Sequence, residues 1–120
     1  MLNIVEALRC SPAVKQVQVI DLIDEATVKY LKCRAELMDG STLHVNESSI
    51  AGKNKYSHHW QDAQNQLVVR WDNAPPHHPH LSTFPHHRHE GGTVHESPHI
   101  AIDEVLAEIE TRFRAAGVLP

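Results

Sequence analysis

Histidine is the residue type that dominates any chemical reading of this chain. Of its eleven imidazoles, eight lie between residues 53 and 92. Two clusters, His77-His78-Pro79-His80 and His86-His87-Arg88-His89, repeat the pattern HHxH nine residues apart on a stretch that also holds four prolines. Neutral imidazole is a common ligand of zinc and nickel, so His77, His78, His86, His87 and His89 form one candidate divalent-metal set. Their spacing matches no standard zinc module, which often adds cysteine. The second chemistry is metal-independent cleavage of RNA, which expects no cofactor. It needs a base for the 2′-hydroxyl proton, an acid for the leaving oxygen and a cation for the charge on the phosphate. Imidazoles near their pKa serve the first two tasks, and Arg70 or Arg88 the third. Any one of these histidines, taken alone, also fits a surface or hydrogen-bonding role, and composition does not choose among the six within residues 73–92.

The elements that must position these groups follow from periodicity. Residues 30–38 alternate, with Leu31, Cys33, Ala35 and Leu37 on one face, the pattern of a half-buried strand. Asp39-Gly40 is a tight-turn signal, and Leu43 and Val45 resume the alternation in a hairpin partner. If that strand continues, Glu47 joins the apolar face, where a carboxylate needs a cation, a metal or a cleft; if it ends at Asn46, Glu47 is solvated. Residues 54–61 and 66–72 read as a second hairpin. One face would carry Tyr56, His58 and Trp60 with Leu67, Val69 and Trp71, and the other Ser57, His59, Val68, Arg70 and Asp72. That second face brings together an imidazole, a cation and an orienting carboxylate. Trp60 and Trp71 read as core residues, although indoles also stack on bases.

Apolar residues dominate residues 17–23, and Leu2, Val5 and Leu8 have the spacing of a short N-terminal helix. Residues 73–92 show no period and read as a long, proline-stiffened functional loop. Near the C-terminus Ile102, Val105, Leu106, Ile109 and Phe113 make one helical face. Acidic residues at its start, arginines at its end and Gly117 beyond it give a properly terminated helix. The expected architecture is one α+β domain over residues 1–120. An antiparallel sheet of about five strands, built from two hairpins, packs against the C-terminal helix and the short N-terminal one.

Composition bounds the function. Hydrophobic residues make up 41% and charged residues 22% of the 120, as in ordinary globular proteins. No apolar run is long enough to span a bilayer, and the N-terminus lacks the pattern of a signal peptide, so the cytoplasm is the expected compartment. The formal net charge of −4 argues against a general nucleic-acid binder. The charge is uneven, however: residues 1–52 carry −2, residues 93–120 carry −3, and residues 53–92 carry +1. Since imidazole titrates near pH ~6.5, a nearby polyanion would make that middle segment strongly cationic. Cys10 and Cys33 read as buried thiols rather than a disulfide.

At YSHHWQD, RWDNAP and FPHHRH the sequence resembles the TumE family of small prokaryotic toxin–antitoxin proteins. The matching positions are Tyr56 and His59 to Asp62, then Arg70 to Pro75 with His77, His78 and Pro79, then Thr83 and Pro85 to His89. The chain departs from the pattern at an extra proline in Pro75-Pro76 and at His80, where an acidic residue is frequent. The resemblance implies a toxin, neutralised by a small antitoxin similar to helix-turn-helix DNA-binding regulators. By analogy with such toxins it implies RNA as substrate. The combined expectation is a ribonuclease using Glu47, His59, Arg70, Asp72, His77, His78, His86, His87 and His89. The competing readings are a metal-binding protein and a non-catalytic partner-binding module. Assembly into a homo-oligomer is left open.

Overall fold

The computed structural model describes residues 1–74 and 79–120. Helix α1 (Leu2–Cys10) leads into seven strands, β1 (Val14–Asp24), β2 (Val28–Leu37), β3 (Thr42–Ile50), β4 (Lys53–Gln61), β5 (Leu67–Asp72), β6 (His87–Glu90) and β7 (Thr93–Glu96), and helix α2 (Ile102–Ala115) ends the fold. The strands pair in chain order as one antiparallel sheet, β1 to β7, with no crossover. This is the α+β architecture expected, with seven strands in place of about five. No helix among the described residues is long and apolar enough to cross a membrane.

The core forms because alternation puts one face of the sheet under both helices. Leu31, Cys33, Ala35 and Leu37 of β2, Leu43 and Val45 of β3, Trp60 of β4, and Val69 and Trp71 of β5 are buried with Ile4, Val5 and Leu8 of α1 and the whole predicted face of α2. Trp60 and Trp71 are therefore core residues. Trp60 donates its Nε1–H to Ser41 Oγ at 2.9 Å, and its ring meets Phe113 edge-on. Both cysteines are free: Cys33 is a buried thiol, pushed up to about 11 chiefly by burial, whereas Cys10 is exposed.

Leu67 departs from the expected face. A bulge between Trp60 and Gln61 pairs Leu67 with Gln61, turns it off the tryptophan side and leaves it 44% exposed.

The larger correction is β6 and β7, which lie in and just beyond the stretch expected to be structureless. No apolar alternation marks β6, because its helix-facing residues are charged. Arg88 binds Glu108 of α2 at 2.7 and 2.8 Å and Glu90 at 2.6 Å, and Arg112 of α2 returns to Glu90 at 2.8 Å. The two guanidinium groups also lie 5.4 and 5.5 Å from the ring centres of Trp71 and Trp60. An ion-paired lid thus covers the tryptophans where aliphatic residues would ordinarily do so. The turn between β6 and β7 is Gly91-Gly92, both with positive φ, the chemistry of a two-residue hairpin.

Candidate functional site

Strand register places the chemistry on the sheet face turned away from the helices. His59 pairs with Arg70, and Arg70 with His89; one row over, Ser57 pairs with Asp72, and Asp72 with His87. Four of the expected residues, Arg70, Asp72, His87 and His89, therefore sit on two neighbouring strands, with His59 on a third.

Asp72 is the hub. It is only 3% exposed, as is His87. Arg70 Nε donates to Asp72 Oδ2 at 2.7 Å, His87 Nε2 lies 2.5 Å from Oδ1, and His89 Nε2 is 3.7 Å from Oδ2. The Ala74 N–H also donates to Oδ1, at 3.3 Å. The other edge of His87 is held by the Pro85 carbonyl, which accepts from Nδ1 at 2.9 Å. His87 is thus locked between two acceptors and is suited to holding Asp72 in place.

Arg70 reaches outward. Its Nη1 donates to Nδ1 of His59 at 3.2 Å, an assignment forced by the guanidinium having no acceptor. Burial first, then the positive charge of Arg70 and the nearby His44, hold His59 below the usual imidazole range. His59 at rest is therefore a neutral ring whose basic nitrogen is covered by a guanidinium. Beside this cluster opens a groove of about 280 Å³ whose lining includes Tyr30, Asn46, Glu47, Lys55, Arg70 and Asp72.

Glu47 and His86 do not join this cluster. β3 continues past Asn46, so Glu47 lies on the helix-facing side, 26% exposed, its carboxylate 3.8 Å from Nε2 of His58. Burial raises the Glu47 pKa. His86 also lies on that side, its Nδ1 2.9 Å from the Tyr56 hydroxyl and its ring stacked on the Tyr56 ring, with His99 edge-on to both. Arg88, bound to Glu90 and Glu108, faces α2 and leaves Arg70 as the phosphate-binding candidate. His77 and His78 lie outside the described residues.

Asp72, His87 and His89 bring their donor atoms within 4.8 Å of one another, the one such trio among the described residues, and could take a divalent ion. The direct Asp72–His87 contact and the guanidinium on the same carboxylate would both have to yield to it. The expected metal set differs, because His86 points elsewhere.

His58 supplies a pH test. Its ring is fully buried, neither nitrogen makes a well-formed hydrogen bond among the described residues, and burial outweighs the nearby Ile100 backbone to push its pKa down to about 4. In the unfolded chain it binds its proton near pH ~6.5. The cost of keeping it neutral is thus absent above that pH and grows as pH falls toward 4, reaching at most about 3 kcal/mol. Glu47, with its raised pKa, works in the opposite direction. Urea unfolding at pH 7 and at pH 4.5 is expected to show a smaller loss for His58→Phe than for the unsubstituted chain. Equal losses would show that His58 does not set this dependence.

His44 and Tyr30 are site residues that the sequence reading misses, whereas Ser57 falls on the expected face beside His59. The signal was there: pairing through the Asp39-Gly40 turn sets Arg34 opposite His44, and the next hairpin sets His44 opposite His59.

These features define a small meander-sheet protein with a guanidinium, a buried carboxylate and several imidazoles gathered on its open face. The family model Toxin TumE matches residues 4–113, and the chain belongs to that family of toxins. Membership implies a cognate antitoxin as partner. Comparison with curated proteins and with solved structures gives no match.

Proposed function

We propose that this toxin cleaves RNA, with Arg70 receiving the scissile phosphate and the flanking imidazoles of His59 and His89 moving the protons. The observation that carries the reading is the pairing order His59, Arg70, His89 across three adjacent strands, with the guanidinium already hydrogen-bonded to His59. A phosphate drawing Nη1 of Arg70 toward itself frees Nδ1 of His59 to accept the 2′-hydroxyl proton. The 2′-oxygen attacks phosphorus, the bond to the 5′-oxygen breaks, and His89 in its protonated form gives the leaving oxygen a proton. The products are a 2′,3′-cyclic phosphate and a 5′-hydroxyl end. Asp72 holds Arg70 in place, and His87 holds Asp72. Glu47 and His86 support the fold next to the site. The antitoxin, on the family pattern, is a helix-turn-helix DNA-binding regulator.

A metal-assisted reading rests on the Asp72, His87 and His89 trio, which would take zinc or nickel and activate a water. Digestion of RNA by the untagged chain, with and without chelator, separates the two. Cleavage that survives chelator, yields cyclic phosphate ends and falls about 10²-fold or more in His59→Ala and His89→Ala supports the acid/base reading. Chelator-sensitive cleavage transfers the site to the metal reading. RNA left uncut in every arm leaves a partner-binding module.

A further inference from the structure

Extending the catalytic row toward β2 gives Arg34, His44, His59, Arg70 and His89, consecutive cross-strand partners over five strands of one open face. At the ordinary spacing of paired strands, Arg34 and Arg70 are about 14 Å apart, with His44 and His59 between them. The rings of His44 and His59 have centres 6.2 Å apart. Lys32 lies beside Arg34, and both are exposed. The carboxylate nearest in sequence on this face, Glu36, lies 4.0 Å from the ammonium of Lys15. Parallel to the row runs the groove, whose lining includes Tyr30, Lys55 and Arg70 as well as the acidic residues Glu47 and Asp72.

We propose that this row is a binding track for single-stranded RNA. The sugar–phosphate backbone crosses the strands from Arg34 to Arg70, and bases enter the neighbouring groove against Tyr30. A row of cations beside an aromatic platform is how proteins hold single strands without reading sequence. Polyanion binding also supplies what the row lacks in the free protein. Burial and the neighbouring cations Arg34 and Lys32 hold His44 below the usual imidazole range, and burial and Arg70 do the same for His59. A phosphate held beside His44 favours the charged form of that ring, while His59 stays the neutral base of the proposed reaction. A groove of about 280 Å³ takes one base rather than a base pair, which sets single strands ahead of duplex.

The track rests on reading this face as the RNA-cleaving one, so the test measures binding without cleavage. The probe is a fluorescent 2′-deoxy-substituted oligonucleotide of about 10 nucleotides, single-stranded or annealed, titrated at several salt concentrations. The expected result is tighter binding of the single strand. Arg34→Ala is expected to weaken it about 10-fold at low salt and lower the salt slope by about 1, and Arg34→Lys to restore the slope. Thermal melting checks that each variant is folded. Equal or tighter binding of duplex, or affinity and slope indifferent to Arg34, overturns the track. So does a dependence on Arg34 seen with purified antitoxin and not with the oligonucleotide, which would make the face a protein interface. Arg34-dependent binding by a chain that leaves RNA uncut keeps the track and removes the catalytic reading. Cleavage with Arg34-independent binding does the reverse.

Discussion

Arg70→Ala is expected to lower kcat/KM for RNA cleavage by about 10²–10³-fold, the range for removing one preorganised donor from a developing oxyanion, or about 3–4 kcal/mol. The fold should survive. The Arg70 side chain is partly exposed, and Asp72 keeps His87 and the Ala74 N–H when the arginine is gone. Arg70→Lys should recover only a small part of the loss. A lysine brings one charged centre, whereas the guanidinium binds Asp72 through Nε and His59 through Nη1 together. The measurements are steady-state cleavage of a defined oligonucleotide and a thermal melt of each variant. A folded Arg70→Ala chain that cleaves at the unsubstituted rate ends the phosphate-binding assignment.

The largest effect on stability should come from Asp72→Ala, at about 2–3 kcal/mol, because it removes a buried acceptor shared by Arg70, His87 and the Ala74 N–H. Asp72 and His87 are both 3% exposed, so water cannot easily replace the lost carboxylate. The same substitution frees Arg70 and removes the link between β5 and β6 at their Asp72–His87 pair. Asp72→Asn should cost less, since its carbonyl still accepts from Arg70. Activity should nonetheless fall, because an amide cannot hold Arg70 and His87 at once as a carboxylate does. Urea titration measures both variants. A loss under 1 kcal/mol for Asp72→Ala would mean that this network adds little to the fold.

The helix-facing side of the chain was largely legible in sequence. Alternation at Leu31, Cys33, Ala35 and Leu37, the Asp39-Gly40 turn and the apolar face from Ile102 to Phe113 each give one physical answer, because burying any other set of residues would leave polar groups without water. The grouping of His59, Arg70 and Asp72 followed from the same rule, since side chains two apart on a strand share a face. The hairpin of β6 and β7 was not legible. Its helix-facing residues are Arg88 and Glu90, and a strand whose inner side is satisfied by ion pairs with Glu108 and Arg112 carries no hydrophobic period to detect. Only its Gly91-Gly92 turn was readable, and it did not reveal which strand the hairpin would join.

The fate of the histidines shows where local patterning stops. Composition concentrated them in the middle of the chain, and period two was enough to set His59 beside Arg70. That His86 would turn toward Tyr56 and His99 while His87 and His89 turned toward Asp72 depended on β6 docking along β5, in a register that sends adjacent side chains to opposite faces. The fate of Glu47 likewise hung on whether β3 ran on past Asn46, which pairing with β2 and β4 decided. Contacts between residues distant in the chain settle such questions, because the free energy that selects a register comes from the partner strand and the packed helices, neither of which a local stretch of sequence contains.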